Sequence, residues 1–464
     1  MPLLLRPIVW LIAVLALASV TLAAPPQSDS FASAKRAAQQ AARSTHSAKR
    51  REALEALARF PSDEALDLIV QVGLKAKDDE TRSAARKVLA RMAAEQIDDA
   101  DNAGAPRAAE DEQAAAAESA AGIRQHLHDL LDRERTPAGP VAVGLATALL
   151  AAEPAGDAKS LLTTLDGSDS QALVLCWGIA TAAAADGAEG VPVLVALSTL
   201  RVFSDDFSFR RGVVRGLIAI HQPDSVVALI ALLQTLRGEV RADVAGYLEA
   251  ISGVKKGIDA DAWQAWWGES GAGFRFPPGM ATYPVPTVAP GEAGNAYYQI
   301  PVYAERIVFV IDTSASMAGE RMETAKRELV SAIHTLSPDT LFTVVAFSDA
   351  PHGWQPRLVE ASDDSKRAAA AFVRALVPAG KTASFDALDA AFRYDAEAIF
   401  FLSDGAPTTG RIVDPGQIVR FVAEANKNRR LSLHTIGIMP EAGLATFLQA
   451  LAAANHGAYR HVAD

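Results

Sequence analysis

The sequence predicts two folded halves of different class: an α-helical repeat region, then an α/β domain on a mainly parallel sheet. Three observations predict this. Residues 48–252 read as short amphipathic segments rich in Ala and Leu, broken by Pro, Gly or Asp. From Arg306 onward, apolar runs of strand length alternate with segments of helical period, the pattern of a sheet wrapped by helices. Between them, FPPGMATYPVPTVAPGEAG follows neither period. The 464 residues allow two to four domains, at about 100–200 residues each. With 50% hydrophobic and 21% charged residues, most of the chain can bury a core. A net charge of −11 argues against a general nucleic-acid binder, which carries a basic footprint. The single cysteine, Cys176, excludes an intrachain disulfide and any Cys-rich metal site.

In chain order, residues 1–23 read as a signal peptide. Arg6 precedes an apolar run, Ile8 to Leu22, shorter than the about 20 residues of a comfortable membrane span. Thr21-Leu22-Ala23 places small residues where a signal peptidase cuts. Cleavage after Ala23 makes the protein exported, either periplasmic or secreted by a bacterium; an uncleaved anchor is the alternative. No cysteine follows the run, so a lipoprotein is excluded, and no stable membrane span is expected after cleavage.

Residues 30–270 form the helical region. The stretch from Arg51 to Met92 is echoed from Arg211 to Ile251. With one insertion in the turn, Leu54 and Leu57 align with Val214 and Leu217, and Leu66 and Ile69 with Val227 and Ile230. Each helix pair has an apolar face that it cannot bury alone, so stacking follows. This resembles HEAT-type repeats, which implies a solenoid; an irregular bundle is the alternative. Residues 93–121 are acidic and Ala-rich, and are expected to be a solvated loop or frayed helix. His126 and His128 point nearly 200° apart on a helix and cannot share a metal, so a surface pair is expected. Trp263, Trp266 and Trp267 fall on one helix face and are expected to seal the end of the repeat core rather than bind sugar.

Residues 271–301 read as a Pro/Gly-rich linker. Tyr297, Tyr298 and Tyr303 at its end are expected to dock on the following domain, residues 302–464, and a fragment starting near Tyr297 is expected to fold alone. In that domain strands are expected at 306–311, 341–347, 358–360, 398–402, 431–438 and 458–462. Helices are expected between them, one presenting Met322, Ala325, Leu329, Ile333 and Leu336 on one face. In such sheets ligands bind beyond the carboxyl ends of the strands. There the first strand ends in Asp312-Thr313-Ser314-Ala315-Ser316, a later one in Ser403-Asp404-Gly405, and Gly380-Lys381-Thr382 precedes a helix. Two carboxylates and three hydroxyls are hard oxygen donors, suited to Mg²⁺, Mn²⁺ or Ca²⁺, with water and an external ligand filling the shell.

These residues resemble the von Willebrand factor A domain. Asp-Thr-Ser-Ala-Ser-Met after VFVI, a later Gly-x-Thr and Leu-Ser-Asp-Gly stand in that family's order. The resemblance implies a Rossmann-like α/β fold and a metal-ion-dependent adhesion site. Asp312, Ser314 and Ser316 would be its Asp-x-Ser-x-Ser ligands, Thr382 its threonine and Asp404 its second aspartate. Ala315 stands where the family commonly has Gly. Lys381 replaces a second Gly and is expected to bring positive charge near the cation. The function implied is metal-dependent capture of a protein ligand through an acidic side chain, the helical region adding a second protein-binding surface. A scaffold whose metal only orders loops is the alternative. A metal-dependent hydrolase is disfavoured because no His-Glu-x-x-His, Gly-x-Ser-x-Gly or P-loop is present, so no enzyme is expected. The oligomeric state is open.

Overall fold

The computed structural model describes residues 30–94, 108–134, 138–152, 159–166, 170–277, 295–440 and 442–463. The expected signal peptide, residues 95–107 and residues 278–294 of the linker lie outside them. The chain divides into two compact units between Asp129 and Leu130.

The first unit is helical: α1 (Phe31–Ala42), α2 (Ser47–Leu57), α3 (Asp63–Ile69), α4 (Asp79–Ala93) and α5 (Ala108–Arg133). Side-chain caps start three of them. Ser30, Ser62 and Asp78 each accept from the backbone N–H three residues on, satisfying a donor that the first helical turn leaves open. Leu54, Leu57, Leu66 and Ile69 are fully buried, as their spacing predicts. Residues 108–121 belong to α5 and are not a loop; the alanines that supply no apolar bulk supply helix propensity instead. His126 is mostly buried rather than a surface residue, with Nδ1 3.4 Å from Asp63 Oδ1 and Nε2 3.2 Å from Asp67 Oδ1.

The second unit opens with nine helices among the described residues. They are α6 (Pro140–Ala152), α7 (Lys159–Leu165), α8 (Ser170–Asp186), α9 (Val191–Leu197), α10 (Arg201–Asp205), α11 (Phe207–Ile220), α12 (Pro223–Leu233), α13 (Gly238–Ser252) and α14 (Ala260–Ser270). Val214 and Leu217 are buried, matching Leu54 and Leu57. Val227, however, is half exposed, and Val226 takes the buried place. The caps explain the correction. Ser62 and Gln222 both sit at helix N-caps, so the two turns align without an insertion, and Leu66 matches Val226.

One stretch here, Gln171–Leu197, is long and apolar enough to cross a membrane by length and composition alone. It is two helices, α8 and α9, joined by a tight turn at Gly187–Gly190, and α8 packs on α6 and α11. Trp263 is fully buried, its indole N–H donating to Gly257 O (2.8 Å), and α14 packs on α12. The tryptophan helix thus closes the helical core. The start of the expected linker is folded too: Phe274 packs on Trp266 and Trp267, and Phe276 on His221.

A hairpin, β1 (Ala296–Tyr297) and β2 (Ile300–Pro301), precedes the sheet, so the end of the expected linker is also ordered. Tyr297 is buried with its ring edge-on to Phe309 and Phe400. The sheet follows: β3 (Arg306–Asp312), β4 (Leu341–Phe347), β5 (Pro351–Gly353), β6 (Val359–Glu360), β7 (Ala398–Ser403), β8 (Ser432–Ile438) and β9 (Tyr459–Val462). Its order is β5-β4-β3-β7-β8-β9, with β6 also on β4. All pairs are parallel except those of β5 and β6 with β4. Five helices cover it: α15 (Glu320–Thr335), α16 (Asp363–Ala375), α17 (Ser384–Ala391), α18 (Pro415–Asn426) and α19 (Ala442–Ala454). Ile307, Phe309 and Ile311 point to one face, where Met322, Ala325, Leu329 and Ile333 of α15 and Val373 of α16 meet them. β3 and β7 are buried on both faces, which is why they read as continuous apolar runs.

The amino ends of β7 and β8 rest on the helical region. Arg211 is fully buried and grips Asp243 with two hydrogen bonds, Nε to Oδ2 (2.6 Å) and Nη2 to Oδ1 (2.8 Å), while Nη1 donates to Arg430 O (2.6 Å). Ser432 Oγ donates to Glu239 Oε2 (2.8 Å), Ser208 Oγ to Arg429 O (2.8 Å), and Arg430 lies over the Trp177 ring at 4.2 Å. The helices and the sheet therefore share a buried polar seam, which the linker reading did not foresee.

Candidate functional site

The site forms where three chain segments leave the sheet at its carboxyl edge. β3 ends on Asp312, which is fully buried. The next turn is fixed by its backbone: Thr313 N donates to Phe347 O (2.7 Å) and Ala315 N to Gly380 O (3.1 Å). The second bond, with Ala379 N to Thr313 O (2.8 Å), lays the Gly380-Lys381-Thr382 loop alongside. Gly380 has φ +78°, a conformation that L side chains rarely adopt, so the turn favours glycine; a Cβ there would also displace the exposed Asp349 carboxylate. β7 delivers Ser403 and Asp404 from the other side.

The five predicted oxygen donors come together. Ser314 N donates to Asp312 Oδ1 (2.8 Å), and Ser314 Oγ lies 3.1 Å from Ser316 Oγ. Ser316 Oγ in turn donates to Asp404 Oδ1 (2.8 Å). Thr382 stands nearby across Gly405: a Cβ added to that glycine would stand 3.6 Å from both Ser316 Oγ and Thr382 Oγ1. Ser316 is exposed, while Asp312, Ser314, Thr382 and Asp404 are buried, so the cluster opens to solvent through one hydroxyl.

Three neighbours were not singled out from sequence as site residues. Ser403 Oγ donates to Asp312 Oδ2 at 2.5 Å. Thr408 Oγ1 accepts from Thr382 N (3.0 Å). Arg321 Nη1 lies 3.0 Å from Asp404 Oδ2. Ser403 could have been found, since it precedes Asp404 in the same motif; Arg321 lies in the first turn of α15 and no spacing marks it. Lys381, expected to bring charge to the site, is exposed, and among the described residues it forms no ion pair; its backbone N–H donates to Asp349 Oδ1 (3.0 Å). The cation beside the cluster is Arg321.

Burial holds the Asp312 carboxyl up at about 6, with the charge of Asp404 adding; hydrogen bonds from Ser403 and Ser314 pull the other way. Such a carboxyl has reason to accept a cation. The donor set fits a hard one, being all oxygen and carrying two carboxylates. Among the described residues no group of three or more His, Cys, Asp or Glu side chains surrounds one point. A cation would therefore rest on Asp312 and Asp404, with hydroxyls and water completing its shell.

The fold is a doubly wound α/β domain, with hydroxyls and two aspartates at the carboxyl edge of β3 and β7. Residues 305–461 match the family model of the von Willebrand factor type A domain, and this part of the chain is such a domain. Inter-alpha-trypsin inhibitor heavy chain H1 of Sus scrofa is 31% identical over 166 residues, 33% of this chain and 18% of that protein. Heavy chain H4 of Homo sapiens is 31% identical over 171 residues, 34% and 18% respectively. The match thus spans under a fifth of the length of these relatives. A solved von Willebrand factor type A structure from Catenulispora acidiphila is 25% identical, covering 35% of this chain and 40% of its own, with a TM-score of 0.32.

Proposed function

We propose that this chain is an exported module that captures a protein ligand through a divalent cation, Mg²⁺ or a similar ion. Asp312, Ser314, Ser316, Thr382 and Asp404 hold the cation, and an acidic side chain of the ligand completes its shell. Domains of this type typically serve protein interaction. The observation that carries the reading is the run of contacts that links Asp312, Ser314, Ser316 and Asp404, with Thr382 Oγ1 and Ser316 Oγ both beside Gly405 and only Ser316 exposed. That leaves one open side from which a partner reaches the cation. Val377, 76% exposed on the segment leading to Gly380, offers such a partner an apolar contact. The export half of the proposal rests on Arg6, the apolar run and Thr21-Leu22-Ala23.

The scaffold reading is weaker because the loops are tied by their own bonds. Ala315 N to Gly380 O and Thr408 N to Thr382 O (3.0 Å) hold them without an ion. The test is titration calorimetry with Mg²⁺ and Mn²⁺ on the wild type and Asp312→Ala, beside pull-downs with and without EDTA. Metal binding that Asp312→Ala abolishes, and partner capture that EDTA abolishes, support the proposal. Metal binding unchanged in Asp312→Ala overturns the site, and capture indifferent to EDTA overturns the role.

A further inference from the structure

Arg321 occupies a place that simple helix electrostatics disfavours. It is the second residue of α15, where the helix dipole is positive and a cation is unwelcome. What holds it there is the site. Nη1 lies 3.0 Å from Asp404 Oδ2 and 3.3 Å from Ser316 O, and Nε contacts Met439 Sδ at 3.4 Å. The Asp404 side chain is fully buried, while that of Arg321 is 36% exposed. Asp404 thus has both oxygens engaged, one by Ser316 Oγ and the other by a guanidinium. A buried carboxylate needs a countercharge, and here the chain supplies its own. A divalent cation on Asp404 would face that guanidinium as a like charge in a weakly screened place.

We propose that Arg321 is a built-in counter-cation. It neutralises Asp404 in the metal-free domain and must swing away before a divalent ion takes that carboxylate. The threshold concentration for metal is thereby set above that of the bare oxygen donors. This rests on the metal-site reading above. The swing is feasible because the guanidinium is partly exposed and its other contacts, a carbonyl and a thioether sulfur, are weak.

The experiment uses the full chain with Mn²⁺ as probe. Titration calorimetry compares the wild type with Arg321→Gln, Arg321→Met and Arg321→Lys, and thermal melting is recorded in EDTA and in Mn²⁺. Arg321→Gln and Arg321→Met are each expected to bind Mn²⁺ about tenfold more tightly, the effect of removing one unfavourable like-charge neighbour. Arg321→Lys is expected to stay near wild type. In EDTA, Arg321→Gln and Arg321→Met are expected to melt below wild type, since Asp404 loses its partner, and Mn²⁺ is expected to close that gap. The two neutral variants carry the same expectation, so either one that folds decides. Equal or weaker Mn²⁺ binding in the neutral variants, with wild type binding normally, overturns the role of Arg321 and leaves the metal site standing. No binding in wild type or variants overturns both.

Discussion

Asp312 is the residue on which the site turns, and its environment is divided. Burial opposes its charge, while Ser403 Oγ and the Ser314 N–H support it. A cation needs the carboxylate form, so metal binding should weaken as pH falls through about 6, where Asp312 takes up a proton. Ser403→Ala removes the 2.5 Å donor and should push that midpoint higher. The lost bond to a charged group is worth about 1.5–3 kcal/mol, or roughly one to two pH units in that midpoint, so affinity near neutrality should fall roughly two- to fifteenfold. Mn²⁺ affinity measured across about pH 5.5–8 checks both statements; a midpoint unmoved by the substitution would show that Ser403 does not set the charge of Asp312. The proposed ligands were legible because three motifs name them, each one strand end or loop. Arg321 was not, because a single arginine in a helix's first turn has no pattern until the fold sets it on Asp404.

At the scale of an element, the end of α19 joins structure to pH. Asn455 anchors it: its Nδ2 donates to Leu451 O and its Oδ1 accepts from Asn426, whose own Oδ1 caps Leu431 N. His456 follows with φ +59°. Burial drives its imidazole down to about 3, with Arg215, Arg211 and Arg430 adding and Asp243 opposing. The folded chain therefore refuses a proton that the unfolded chain accepts near 6.5. Stability should fall as pH drops from about 6.5 towards 3. His456→Asn, whose side chain tolerates the same backbone, should flatten that decline. Urea unfolding at about pH 7 and pH 5 reads the difference directly; equal slopes in both proteins would place the acid sensitivity elsewhere. Strands β3, β4, β7 and β8 fall within one residue of their expected bounds; β3 and β7 are near-continuous apolar runs, and β4 and β8 keep enough apolar residues between turn signals to read as strands. β5 escaped notice, since Pro351, His352 and Gly353 offer neither an apolar run nor alternation. The hairpin of Tyr297 hid inside a Pro/Gly-rich stretch whose composition argued for extended chain.

For residues 130–463 as a whole, the seam beneath β7 and β8 decides how independent the two folds are. Asp243 is buried and held by Arg211, with Arg215 at 3.4 Å. Arg211→Ala should strip the main partner from a buried carboxylate and cost about 3–5 kcal/mol, seen as a lower Tm of the intact protein. A fragment of residues 295–464 should fold, since its sheet has its own core. It should melt lower than the full chain, because Ser432, His434 and Glu397 lose their cover. A fragment as stable as the parent would mean that the seam contributes nothing. None of this was legible in sequence, where Arg211 and Glu239 look like ordinary polar helix positions and only three dimensions bring them under the sheet. The seam has a mechanical consequence. β7 and β8 run from it to the carboxyl edge of the sheet, seven residues or fewer, roughly 20 Å of hydrogen-bonded strand. A ligand tugging at the far edge would load those strands along their length and deliver the tension to the arginine–aspartate clasp. Stretched between its ligand edge and its helices, the molecule should yield first at that clasp, the strands above it holding as a stiff rod.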